Sequence, residues 1–330
     1  MDQSPDVREL EREARSPKKK NGALREPRGA TCKHLYLTGR PELRDFIRYV
    51  KKNAVNPPPT DELIEEWNAA HNVAEELERS EQGAADNPPI IKLDIEGKHL
   101  PFLTEFLKNP MVKNGFNSVP TEIALVQLDR LVVYQKHIDL THVERLKKEI
   151  GPAPSEEVVF KTALPYDPPQ TPVKWSSKGG DSFVFVSPSK DLRYLGPMQL
   201  KPKHITDYSI SGSLVGCPGA AIGFGSNFLN AVYCGNRLIL NNGSHRAYAL
   251  HDLGVTHVPC IVQHVSSMDE LDVVATSQIV EKADFFLKHP RPSMLRDYFN
   301  PRVRKVFKAH RRVREITVRI IVEETYIPEL

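Results

Sequence analysis

Ala231-Val232-Tyr233-Cys234-Gly235-Asn236-Arg237-Leu238-Ile239-Leu240-Asn241-Asn242-Gly243-Ser244-His245-Arg246-Ala247-Tyr248-Ala249-Leu250 is the most legible stretch of the chain. Ala231 to Tyr233 reads as a strand, Cys234 to Arg237 supplies turn residues, and Leu238 to Leu240 reads as the return strand. Gly243 takes a positive φ cheaply, so the chain can turn there into a helix from about Ser244 to Leu253. Ala247, Leu250 and Leu253 mark the buried side of that helix, and Gly254 is its natural stop. Val258 to Val262 is the next strand. A strand, a glycine turn and a helix opening with Ser244, His245 and Arg246 make a candidate phosphate site. Amides at a helix N-terminus lack intrahelical partners, and the dipole there favours negative charge. The planar fork of Arg246 can bridge two phosphate oxygens, and His245 can donate to a third or relay a proton. An ordinary helix start with a solvated His-Arg pair would present the same residues.

Upstream, residues 122–135 are rich in β-branched side chains and read as a strand running into a loop. Residues 139–150 read as a helix capped by Asp139 or Thr141, with Val143, Leu146 and Ile150 on one face. Ser182 to Val186 reads as a strand, Pro165 to Pro172 is proline-rich, and residues 216–227 read as a glycine-bent loop. Nearer the N-terminus, residues 31–85 are expected to be helical. One helix runs from Pro41 to Lys52, and a second starts near Thr60 after Pro57-Pro58-Pro59. Leu63, Trp67, Ala70, Ala74 and Leu77 form the stripe by which the second packs into a helical hairpin. Residues 90–120 hold a short strand and an amphipathic piece from Leu100 to Leu107.

The order of these pieces resembles the ParB/sulfiredoxin superfamily. Asn-Gly-Ser-His-Arg at 242–246, then Leu253-Gly254 and Val258-Pro259, is similar to that family's motif, helix and following strand. Val126 to Val133 looks like its opening strand, Tyr134 to Asp139 occupies its variable substrate loop, and Val143 to Leu146 lies in the next helix. The resemblance implies an α+β fold, a mixed small sheet with flanking helices over residues 121–265 and a long insertion at about 152–229. It also implies a nucleotide, ATP or CTP with Mg²⁺, held by Asn242, Gly243, Ser244, His245, Arg246 and Lys136. Relatives of this kind transfer phosphoryl groups or hydrolyse nucleotides. By position, Asp139, His137, Glu144 and His245 are the candidates to take the proton of a small-molecule or protein acceptor, and Lys136 to steady the transferring group. Arg246→Ala is expected to abolish nucleotide binding and leave the fold intact. Two departures narrow the expectation. Ser244 stands where sulfiredoxins use cysteine, which argues against sulfinic-acid reduction by that route. No helix-turn-helix pattern follows between Ser266 and Leu330, which argues against chromosome partitioning.

Composition sets the outer limits. The 330 residues carry 45 basic and 42 acidic side chains, a balance too even to imply nucleic acid by itself. Clustering is another matter. Residues 291–319 hold ten cations against Asp297 and Glu315 alone, interleaved with Tyr298, Phe299 and Phe307. This stretch, within a basic C-terminal extension expected over residues 266–330, is either a DNA-binding surface centred on Arg311, Arg312 and Arg314, or a partner for the acidic helices of residues 61–81. No run approaches the roughly 20 apolar residues of a membrane helix, and the charged first 30 residues read as a disordered tail without an apolar signal core. Four cysteines without a CxxC pair read as free thiols of a soluble cytoplasmic protein. A non-catalytic interaction module remains the third reading beside enzyme and DNA-binding protein.

Overall fold

The computed structural model describes residues 30–40, 42–93, 100–165, 171–189, 191–201 and 215–326. The expected N-terminal tail, the helix start at Pro41 and most of the proline-rich 165–172 segment lie outside them. Along the chain run β1 (Thr31–Leu37), α1 (Leu43–Asn53), α2 (Thr60–Ser80), β2 (Ile90–Lys92), α3 (Leu100–Lys108), α4 (Pro110–Gly115), β3 (Thr121–Gln127), β4 (Val132–Val133), β5 (His137–Asp139), α5 (Leu140–Ile150) and α6 (Glu156–Ala163). Next come β6 (Lys174–Lys178), β7 (Ser182–Ser187), β8 (Leu192–Leu200), β9 (Cys217–Phe224), β10 (Asn230–Cys234), β11 (Arg237–Asn242), α7 (Ser244–Asp252) and β12 (His257–Val265). The chain closes with α8 (Met268–Val274), α9 (Ser277–Val280), α10 (Ala283–Lys288), β13 (Arg304–His310) and β14 (Arg314–Arg319). This is the expected α+β class with flanking helices.

Two compact units share the chain. The larger spans residues 29–170 and 224–311 and is built on a six-stranded mixed sheet of order β2-β3-β12-β10-β11-β4. β10 and β11 form a hairpin whose turn has Gly235 at φ +63° in its first central position, the pattern of a type II′ turn. β12 then pairs parallel to β10, and β4 parallel to β11. The central strands are buried on both faces, which explains their continuous apolar run. Alternation divides their side chains between two cores. Ala231, Leu238 and Leu240 meet Ala247 and Leu250 of α7 and Phe160 of α6. Val232 and Ile239 meet Leu271, Ile279 and Phe286 of the C-terminal helices.

A second sheet of the same unit has the order β13-β1-β5. Its Leu35, Leu37 and Ile138 join the larger core. On its opposite face Tyr36 packs with Phe46, Val50 and Leu63 of the α1–α2 hairpin. The hairpin is therefore present, and its Leu63, Ala70 and Ala74 are buried as the stripe required. Residues 31–37, however, are a strand and not part of a helical region. β1 draws its order from β13, nearly 280 residues away, and no local pattern reports such a partner.

The smaller unit comprises residues 171–223 with 312–330 and includes a sheet of order β14-β7-β6 and the β8–β9 pair. Two boundaries thus move. α6 belongs to the larger unit, so the insertion is shorter than 152–229. Residues 266–311 are integral to the larger unit and not an extension of it. β14 pairs antiparallel with β7. Residues 217–224 are strand β9 and not a glycine-bent loop.

Gly243 adopts φ +98°, and a Cβ there would stand 3.1 Å from Leu229 Cα. Gly254 at the far end of the helix has φ +84° and open space around its missing side chain. Gly254→Ala is expected to cost about 1 kcal/mol for the dihedral alone, and Gly243→Ala about 2–3 kcal/mol because crowding adds to it. Urea denaturation of the two variants checks the order; equal losses would refute the close approach.

Candidate anion-binding site

β11 ends at Asn242, and its side chain shapes the turn. Oδ1 accepts from the Gly243 amide at 2.8 Å, and Nδ2 donates to the Ser226 carbonyl at 2.9 Å. Gly243 brings no side-chain cap to α7, which opens directly with Ser244, itself 5% exposed. His245 follows, and its Nε2 accepts the Asp139 backbone N–H at 3.0 Å. That bond requires a bare Nε2, so the imidazole carries its proton on Nδ1.

The bond also joins two helix starts. Asp139 is the N-cap of α5, its Oδ1 accepting from the Thr141 and His142 amides. The His142 ring meets His245 edge-on at 5.3 Å. Burial lowers the His142 pKa, the Arg145 guanidinium lowers it further, and Asp139 opposes both. His142 is therefore a neutral imidazole at neutral pH. Sequence patterning singled out Asp139 and His245 but missed His142, whose proximity to His245 depends on α5 packing beside α7.

Arg246 occupies a different place from the one expected of it. It is buried, with Nη1 donating to the Thr162 and Ala163 carbonyls at 3.2 Å and Nη2 to Asn227 Oδ1 at 2.9 Å. The guanidinium thus holds the C-terminal turn of α6, where orphan carbonyls welcome a cation, against the loop before β10. It shapes the wall of the site. The remaining candidates disperse. Lys136 donates to Ser293 Oγ at 3.2 Å and lies over the Phe285 ring, and no contact joins it to Gly243, Ser244, His245 or Arg246 among the described residues. Glu144 is exposed on α5 and pairs with Lys147 at 3.6 Å. His137 stacks obliquely against Tyr49 and His34, on the face of the small sheet beneath α1. An apolar cavity of about 420 Å³ lined by Leu93, Leu103, Leu107, Val112, Phe116 and Ile123 includes none of the candidate residues.

Four of the ten cations in the basic stretch pair with acidic residues of α2 and its end, as charge complementarity suggested. Arg302 pairs with Glu76 at 2.9 Å, and Lys305 pairs with Glu66. Arg291 and Arg296 both reach Glu81, and the buried Arg291 also grips Asp297 with two bonds of 2.7 and 2.6 Å. Arg311, Arg312 and Arg314 are exposed.

Two predictions come from these placements. Arg246→Ala should destabilise the larger unit by about 2–4 kcal/mol, because it removes a buried side chain together with its bonds to the Thr162 and Ala163 carbonyls and to Asn227 Oδ1. Loss of that anchor is incompatible with an intact fold in the variant, and a urea midpoint unchanged from the wild type would refute this. Lys136 is the second case. Its ammonium is enclosed although the residue as a whole is only partly buried, and desolvation, opposed by Asp297, pushes its pKa down to about 8. Between about pH 8 and 10.5 the unfolded chain holds that proton more tightly than the folded one. Stability should therefore rise with pH across that window, with the penalty fully present below it. Lys136→Met should raise stability at pH 7 by about 1–3 kcal/mol, and the gain should shrink as the pH approaches 10. Thermal unfolding of both proteins at a series of pH values tests this; a pH-independent difference would contradict it.

No family model matches the chain, no curated protein matches it, and no solved structure matches it.

Proposed function

We propose that this chain is a nucleotide-binding protein of the ParB/sulfiredoxin type that takes phosphate at the start of α7 and acts as a phosphotransferase or nucleotide hydrolase. The observation that carries the reading is the junction itself. A left-handed glycine turns β11 into a helix without a side-chain cap, and that helix start is bonded through His245 to the start of α5. Backbone amides of Ser244 and His245 bind the phosphate oxygens, and the helix dipole supplies the field. Arg246 keeps the α6 end and the 225–229 loop in place around them. His245 is the proton-handling group, its ring fixed by the Asp139 backbone N–H at the start of a different element. The acceptor is a small molecule or a protein side chain, and ATP or CTP is the phosphate source. Four cysteines outside any disulfide agree with a reducing, cytoplasmic setting. No helix among the described residues is long and apolar enough to cross a membrane.

A thermal-shift panel tests the reading: ATP, CTP, GTP and ADP against adenosine and cytidine, each with and without Mg²⁺. A nucleotide at about 100 times its dissociation constant stabilises a fold by roughly 2.7 kcal/mol, while the phosphate-free nucleosides should give nothing comparable. His245→Gln should weaken the nucleotide shift while leaving the unliganded midpoint within a few degrees. Equal shifts from nucleosides and nucleotides, or no shift from any nucleotide, would defeat the proposal.

A further inference from the structure

A second chemical grouping lies on the small sheet, in a segment where sequence patterning saw only helix. Cys32 and His34 are two residues apart on β1, so both side chains leave the same face. β5 runs antiparallel beside it with Asp139 directly opposite His34. One ligand atom from each of Cys32, His34 and Asp139 falls within 4.8 Å of the others. Cys32 Sγ is 3.3 Å from His34 Nε2, and His34 Nδ1 is 3.1 Å from the Tyr49 hydroxyl of α1. Cys32 and His34 are 7% and 4% exposed.

A buried Cys-His hydrogen bond is by itself ordinary packing. Here a carboxylate reaches the same point from a different strand, and the ladder registers of β1 and β5 fix all three Cα positions. The secondary contacts are those a metal centre needs. Ligating histidines are oriented by a partner on their other nitrogen, as Tyr49 is placed to do for His34. Ligating carboxylates are held by hydrogen bonds, as the Thr141 and His142 amides hold Asp139.

We propose that Cys32, His34 and Asp139 bind a single Zn²⁺ ion. Tetrahedral zinc, with legs of about 2.3 Å to sulfur and about 2.0–2.1 Å to nitrogen and oxygen, places its ligand atoms roughly 3.3–3.6 Å apart. The Cys32–His34 separation already meets that spacing, and the carboxylate needs only a side-chain adjustment. A thiolate and a carboxylate together balance the charge of the ion, while thiolate and imidazole select against Mg²⁺ and Ca²⁺. Three protein ligands leave the fourth position to water, the arrangement of a reactive zinc centre and not of a closed structural one. Binding displaces the Cys32 proton, so affinity falls as the pH is lowered. The proposal rests on the ligand geometry alone and stands whether or not phosphate binds at Gly243, although Asp139 contributes its amide to one site and its carboxylate to the other.

The full chain, stripped with a chelator, is titrated with Co²⁺ as an optical probe and then with Zn²⁺. One equivalent of Co²⁺ should produce a sulfur-to-cobalt charge-transfer band that one equivalent of Zn²⁺ removes. Cys32→Ser should lose the band and Cys217→Ser should keep it. X-ray absorption on the zinc-loaded wild type needs no variant and should show one sulfur at about 2.3 Å with nitrogen and oxygen completing the shell. No band in the wild type, a band that survives Cys32→Ser, or a zinc shell with no sulfur or several would overturn the assignment.

Discussion

Between β11 and α7 the backbone must pass through φ +98° at Gly243 while running within van der Waals reach of Leu229. Only glycine combines that dihedral with the absence of a Cβ at such close quarters. The larger unit is arranged around this passage. β11 lies between β10 and the edge strand β4 of the six-stranded sheet, α7 packs back over its Leu238 and Leu240, and the loop before β10 is brought against the helix start. A chain that turned differently here would lose the contact between α7 and the sheet together with the point at which α5 and α7 begin side by side.

Buried guanidinium groups then hold the irregular parts in register. Arg246 fastens the end of α6 to the 225–229 loop, and Arg291 fastens Asp297 and Glu81, which lie far apart in sequence. A buried cation gains little net stability over a well-packed apolar substitute, because desolvation offsets most of its attraction. Its value is directional, since a planar fork accepts only a few arrangements of carbonyls and carboxylates. The same reasoning accounts for the basic C-terminal stretch. Glu66, Glu76 and Glu81 sit along α2 and its end, and cations at 291, 296, 302 and 305 meet them in order. What reads in one dimension as a polyanion-binding surface is, between Arg291 and Lys305, an internal seam.

Much of the main unit was legible because its elements are locally coded. The β10–β11 hairpin announces itself by Gly235-Asn236, the α7 helix by the glycines that bound it, and α5 by Asp139, which does cap it. The candidate site was legible to the same extent: Asn242, Gly243, Ser244 and His245 share one junction because they are consecutive. Lys136 and Glu144 did not join it. Position along a motif says nothing about the direction of a long side chain, and Lys136 turned toward Ser293 and Phe285. Arg246 was identified as important but its acceptors were not, because Thr162, Ala163 and Asn227 arrive from elements that sequence alone could not bring near.

The sequence by itself therefore determined the strand-glycine-helix module, the amphipathic hairpin of α1 and α2, and the absence of long apolar segments, since each depends on periodicity or on a backbone preference within a few residues. Only the tertiary structure decided that Thr31–Leu37 is a strand between β13 and β5, that Cys32, His34 and Asp139 meet, and that acidic α2 pairs with the cations from Arg291 to Lys305. The physical reason is common to all three. Each arises from pairing between segments about 100 to nearly 280 residues apart, where the deciding energy lies in ladder hydrogen bonds and charge contacts that exist only once the chain has closed on itself.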